Sequence, residues 1–139
     1  MSTEDVMVRI RSKGYWRIVI RPTRFERRRL KTLSDVRQAV DACKVALRGW
    51  DYPYWKPREA ENVGEWVECT VDWSGHIEFW RFYRSGQFIH HVAVHEDHIA
   101  VEQQLPTQYP PRPSRSGYLS VVSTTFTLTE IYEFASRLG

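Results

Sequence analysis

The chain has 139 residues, 42% of them apolar, which suits one domain with a substantial core. Its net charge of +3 is uneven: residues 1–31 carry ten Lys/Arg against three Asp/Glu, and residues 32–139 carry ten against fourteen. No apolar run approaches the roughly 18 residues of a membrane helix, no signal peptide leads the sequence, and two cysteines are too few for a disulfide framework, so the composition points to a soluble cytoplasmic protein with reduced thiols.

Residues 1–5 read as a loose terminus, and residues 6–11 (VMVRIR) alternate weakly as a strand would. Residues 15–21 (YWRIVIR) make a firmer strand, with Trp16, Ile18 and Ile20 on one side and Arg17 and Arg21 on the other; Pro22 ends it. The basic stretch that follows holds Arg27, Arg28 and Arg29. Such a cluster suits phosphates of nucleic acid or a nucleotide, or an acidic partner protein. A helix comes next. Thr32 or Ser34 caps it, Asp35 favours its positive end, and Val36, Val40, Cys43 and Leu47 form its apolar stripe, with Gly49 as the stop. Arg48, Trp50 and Asp51 sit in an aromatic loop kept out of helix by Pro53 and Pro57, a candidate ligand-gripping segment. Residues 59–65 read as an acidic connection.

Residues 65–95 predict three antiparallel strands joined by reversals at Asp72-Trp73-Ser74-Gly75 and Ser85-Gly86. A two-residue loop at Ser85-Gly86 places Trp80 opposite His91, with Glu78 diagonal to His91 and His95. A four-residue loop at 72–75 places Cys69 opposite Glu78. On this register Cys69, His76, Glu78, His91 and His95 share one face beside Trp80 and Phe82, and the other face, with Ile77, Phe79, Phe88, Val92 and Val94, is the core under the helices. The first face offers a general acid–base set (Glu78, His91, His95) or a metal-ligand set (Cys69, His76, His91, His95). Neither carries the tight spacing of a metal signature, and no motif implies a cofactor.

Residues 97–103 read as a short strand, residues 104–117 with four prolines as an extended loop, and residues 118–125 as a strand. Thr127 and Glu130 then read as a capping box opening a helix with Leu128, Ile131, Phe134 and Leu138 on one side. An apolar face that runs to the last residue suggests the N-terminal part of a longer protein. The segments LRGWDYP (47–53), EFWRFYRSGQF (78–88) and TLTEIYEFASRL (127–138) together resemble a bacterial module of uncharacterised activity. The resemblance implies a bacterial, cytoplasmic accessory domain and carries no catalytic residue.

The expected fold is a single α+β domain over residues 1–139: an antiparallel sheet of about five or six strands with two main helices packed on one face. The leading functional reading is a non-catalytic recognition or assembly module. It would bind a partner protein, nucleic acid or its own copy through Arg27, Arg28, Arg29, Arg48, Trp50, Asp51 and Trp80. Two alternatives stand beside it: an enzyme using Glu78, His91 and His95, and a small-ligand or nucleotide sensor.

Overall fold

A computed structural model describes residues 2–73, 75–98 and 119–139. Its centre is a five-stranded antiparallel sheet: β1 (Tyr15–Ile20), β2 (Ala60–Val63), β3 (Trp66–Trp73), β4 (His76–Tyr83) and β5 (Phe88–Ala93), in the spatial order β1-β5-β4-β3-β2. Helices α2 (Leu33–Cys43) and α4 (Val121–Leu138) lie on one face and α1 (Thr3–Arg11) on the other. The expected α+β architecture is therefore present.

The amino terminus departs from expectation. Ser2 accepts the Asp5 N–H, Asp5 reaches back to the Ser2 N–H, and this capping box starts a helix where a strand was expected. Val6 and Ile10 are four apart, so the weak alternation of VMVRIR also fits one helical stripe, and both are buried against Ile77, Phe79 and Ala93. Helix α2 begins at the Thr32–Asp35 box as expected, but it ends at Cys43. The backbone of Val45 instead exchanges two hydrogen bonds with Tyr52, at 2.8 and 2.7 Å, which closes a loop over residues 46–51 and leaves Leu47 exposed. Gly49 turns that loop with φ +87°. The acidic connection after it contains β2, one of the two edge strands. Arg37 of α2 ties β2 down, donating to Asn62 Oδ1, Pro57 O and Ala60 O at 2.7–3.0 Å.

Both reversals differ from their expected form. Trp73 pairs with His76, which leaves two residues for the first turn, one of them Gly75 at φ +78°. The shift from the expected register is even, so the faces survive it: Cys69 lies opposite Trp80 and Val71 opposite Glu78. In the second, Tyr83 N–H donates to Gln87 O and Gly86 takes the positive-φ position (+86°) of a three-residue loop. That one extra residue pairs Phe82 with Phe88, Trp80 with His90 and Glu78 with Val92, and so exchanges the two faces of β5. The core under α2 and α4 therefore lies on the face of Cys69, Trp80 and Phe82, with Phe88 rather than His91 beside them.

At the carboxyl end one continuous helix replaces the expected strand and shorter helix. Ser120 caps α4 by accepting the Ser123 N–H, and Thr125 and Thr129 return their hydroxyls to carbonyls four residues back. Thr127 and Glu130 are thus inside the helix and not at its start. The expected residues 99–103 and 104–117 lie outside the described residues; Asp97 belongs to the short helix α3 (His95–His98).

Candidate functional site

The β4–β5 register decides which side chains meet. Glu78 and His91 lie on opposite faces, so the expected set of Glu78, His91 and His95 is not assembled. His91 faces Phe79 across the strands, and burial, with the charges of Arg11, His90 and Arg17, lowers its titration to about 4. His95 stands exposed after β5, with Nδ1 3.3 Å from Gly75 O. The expected metal set of Cys69, His76, His91 and His95 is divided in the same way. Cys69 is buried, and desolvation aided by the Glu78 charge pushes its thiol up to about 12. Among the described residues no group of three or more His, Cys, Asp or Glu side chains is arranged to hold a metal ion.

His90 takes the place expected of His91. It is wholly buried, and its Nδ1 lies 3.0 Å from the Tyr52 hydroxyl. Its Nε2 faces Glu78 Oε1 at 3.5 Å, too long for a strong hydrogen bond but close enough for charge to matter. Glu78 Oε1 also accepts the Tyr54 N–H at 2.9 Å, and Oε2 lies 2.7 Å from His76 Nε2. Burial alone would raise the Glu78 carboxyl. The His76 hydrogen bond and the positive charge of His76 and His90 outweigh it and hold the group down at about 2. Burial likewise works against a charged His76, but Glu78 outweighs it and raises that imidazole above its ordinary value. Tyr52, His90, Glu78 and His76 thus form one polar chain from the core towards the surface.

A second buried carboxylate lies nearby on α4. Glu130 receives Nε and Nη2 of Arg48 at 2.7 and 2.8 Å, a two-pronged pair, and the guanidinium stacks over Trp50 and Phe126 at 5.0 and 5.6 Å. Desolvation, with the charges of Glu78 and Glu130, raises the buried Tyr52 hydroxyl well above its ordinary range.

Both chains reach a single cavity of about 590 Å³. Its walls include Trp16, Trp50, Tyr52, Tyr54, Trp55 and Trp73, with Val92, Ala93 and Val94 from β5 and its extension and Ser123, Thr124 and Thr127 from α4. Arg48, Asp51, Lys56, His76, Glu78, His95, Glu96 and Glu130 supply its charge.

Of the expected ligand or partner residues, Arg48, Trp50 and Asp51 therefore line the cavity, and Asp51 lies 4.0 Å from Lys44. Trp80 does not belong to a surface: it is buried in the main core and donates its Nε1–H to Tyr54 O at 3.0 Å. Arg27, Arg28 and Arg29 are exposed near the β4–β5 hairpin, where Leu30 N–H donates to Arg84 O, at the far end of β4 from His76. Tyr52, His90 and Glu130 were not anticipated. Glu130 did leave a signal, because it stands four residues before Phe134 and so on the same buried helical stripe.

Comparison with known proteins finds no matching family model, no matching curated protein and no matching solved structure. Among the described residues no helix is long and apolar enough to cross a membrane.

Proposed function

We propose that this domain binds a small organic ligand in the aromatic cavity between the sheet, the 48–56 segment and α4. The observation that carries the proposal is the combination of about 590 Å³ of space, aromatic walls and a few polar groups fixed from behind by buried partners. That is the usual make-up of a small-molecule site: a mostly apolar concavity of roughly 300–1,000 Å³ with a small number of oriented polar contacts. The tryptophans that suggested an adhesive surface converge on a hollow or, as with Trp80, fill the core.

Titration with uncharged indole-type ring compounds, followed by tryptophan fluorescence and backbone amide shifts, tests the reading. Binding shifts the amides of Val92, Ala93 and Thr124. Thr124→Phe, which fills the cavity from α4, removes those shifts while the protein stays folded. A ring compound at 100 times its dissociation constant adds about 2.7 kcal/mol to stability. Unperturbed amides, or equal binding by Thr124→Phe, would overturn the proposal.

A second reading is supported by the opposite end of the sheet. There Arg24, Arg27 and Arg28 lie exposed beside Phe25, itself 77% exposed, a basic and aromatic loop suited to nucleic acid. Binding to single-stranded nucleic acid that weakens steeply with salt and is lost in Arg27→Ala/Arg28→Ala supports it; salt-independent or absent binding counts against it.

A further inference from the structure

Two base–acid pairs approach the cavity, and both are oriented the same way. In the first, the Glu78 side chain is 3% exposed and His76 26%; in the second, Glu130 is 1% exposed and Arg48 20%. In each the carboxylate lies deep and the base stands in front of it. The cavity therefore meets the two bases ahead of the two acids, which also reach its walls and fix the bases from behind.

Each base also has hydrogen-bonding capacity to spare. His76 uses Nε2 on Glu78, and among the described residues Nδ1 makes no hydrogen bond. Arg48 uses Nε and Nη2 on Glu130 and Thr127, and among the described residues Nη1 makes no hydrogen bond. In the same wall Thr124 Oγ1 is buried and, among the described residues, has no hydrogen-bond partner. Buried polar atoms are almost always paired, so the Thr124 hydroxyl is a natural contact for a ligand atom, and the part-exposed bases Arg48 and His76 present their spare nitrogens in the walls of the same cavity. Arg48 and His76 line the same cavity, so an anion held there is attracted to both, and it relieves the small repulsion that the guanidinium exerts on a protonated His76. The other charged groups in the walls are Asp51, Lys56, His95 and Glu96, two of each sign when His95 is protonated, with Asp51 4.0 Å from Lys44.

We propose that the natural ligand is a ring compound carrying an anionic acceptor group, a carboxylate or similar, that bridges Nδ1 of His76 and Nη1 of Arg48 while its ring stacks on the cavity tryptophans. This rests on the ligand-binding reading above and adds the chemical class and the polar anchor. Binding is then linked to one proton. The anion raises the proton affinity of His76 further, so affinity is fully expressed below the titration of the free protein. It falls by about tenfold per pH unit as pH rises from the free to the bound midpoint.

Three probes with one ring separate the possibilities: indole-3-acetate, indole-3-acetamide and tryptamine, which are anionic, neutral and cationic. Their dissociation constants are measured from pH 5.5 to 8.5 by the same fluorescence titration, and the His76 imidazole nitrogens are followed by NMR. Indole-3-acetate binds about tenfold more tightly than tryptamine near pH 6, the weight of one charge-assisted hydrogen bond, and moves the His76 midpoint upward. His76→Gln removes the pH dependence and most of the preference. If that variant does not fold, the wild-type imidazole titration decides alone. Tryptamine binding as tightly as indole-3-acetate, or a His76 midpoint that does not move, overturns this inference and leaves the cavity reading intact. Failure of all three to bind removes both.

Discussion

His90 and His91 are neighbours in sequence and opposites in circumstance. His90 points under α4 and the 45–55 segment, between the Tyr52 hydroxyl and the Glu78 carboxylate, where polar partners surround it. His91 points to the α1 side, near the tilted ring of Tyr15 at 6.2 Å, under the charges of Arg11 and Arg17, with its Nδ1 buried and, among the described residues, unpartnered. One face of the sheet thus gathers polar groups into a connected chain, and the other packs a histidine that gains by remaining uncharged. The contrast teaches that the chemistry of a residue here is set by a hairpin several residues away, through the parity of the strand that follows.

Breaking that parity has the largest expected effect. Deleting Ser85 shortens the Arg84-Ser85-Gly86 loop and rotates β5, sending Phe88 and His90 outward and Ile89 and His91 inward. Loss of Phe88 from the core and burial of mismatched groups cost an amount comparable to the whole stability of a domain, roughly 5–15 kcal/mol. Circular dichroism should show no cooperative thermal transition; a near-normal one would mean the register is wrong. Next in size is Arg48→Ala, which leaves Glu130 buried without its partner and costs roughly 3–5 kcal/mol by chemical denaturation. The pair Arg48→Met/Glu130→Met recovers most of that loss, since the penalty lies in the orphaned charge.

A smaller effect separates the two histidines directly. His90→Phe deprives Tyr52 and Glu78 of a partner and costs about 1–3 kcal/mol at neutral pH, whereas His91→Phe removes no hydrogen bond and costs less. The smallest effects are in the pH profile. His91 titrates near 4 when folded and 6.5 otherwise, so the unfolded chain binds more protons between those values and stability falls as pH drops through that window. His91→Phe flattens that limb. His76 is shifted the other way: its contribution is complete below the unfolded value of 6.5 and is lost as pH rises through its raised folded value. Glu78, depressed from 4.5 to about 2, contributes above 4.5 and loses its contribution between those values. Urea midpoints from pH 3 to 8 for wild type, His91→Phe and His76→Gln resolve the three.

The fold class, strand β1, the start of α2 and the three-strand meander were legible in the sequence because each rests on local signals: period-two apolar runs, a Thr–Asp cap and glycine at the reversals. The site was legible only in part. Glu78, His76 and the Arg48–Asp51 segment emerged, since an even register error leaves a face intact. His90 was lost to His91 because Ser85-Gly86 alone does not distinguish a two-residue turn from a three-residue loop with glycine last, and one residue reverses a strand. Helices α1 and α4 were misread where β-branched residues stand inside helices, as in Val121 to Thr125, a preference that capping by Ser2 and Ser120 overrides. Glu130 was taken for a cap residue because its partner, Arg48, lies 82 positions away and only tertiary packing brings them together.

The fork of Arg37 bears on how this molecule coexists with its own copies. A sheet ends in unsatisfied peptide groups that invite further strands and, with them, insoluble assemblies. Here one of the two edge ribbons, β2, is four residues long, and a guanidinium already occupies the Ala60 carbonyl and the Asn62 side-chain oxygen. An incoming chain must first evict a cation that is also anchored to Pro57, which raises the cost of self-templated growth at this margin of the protein.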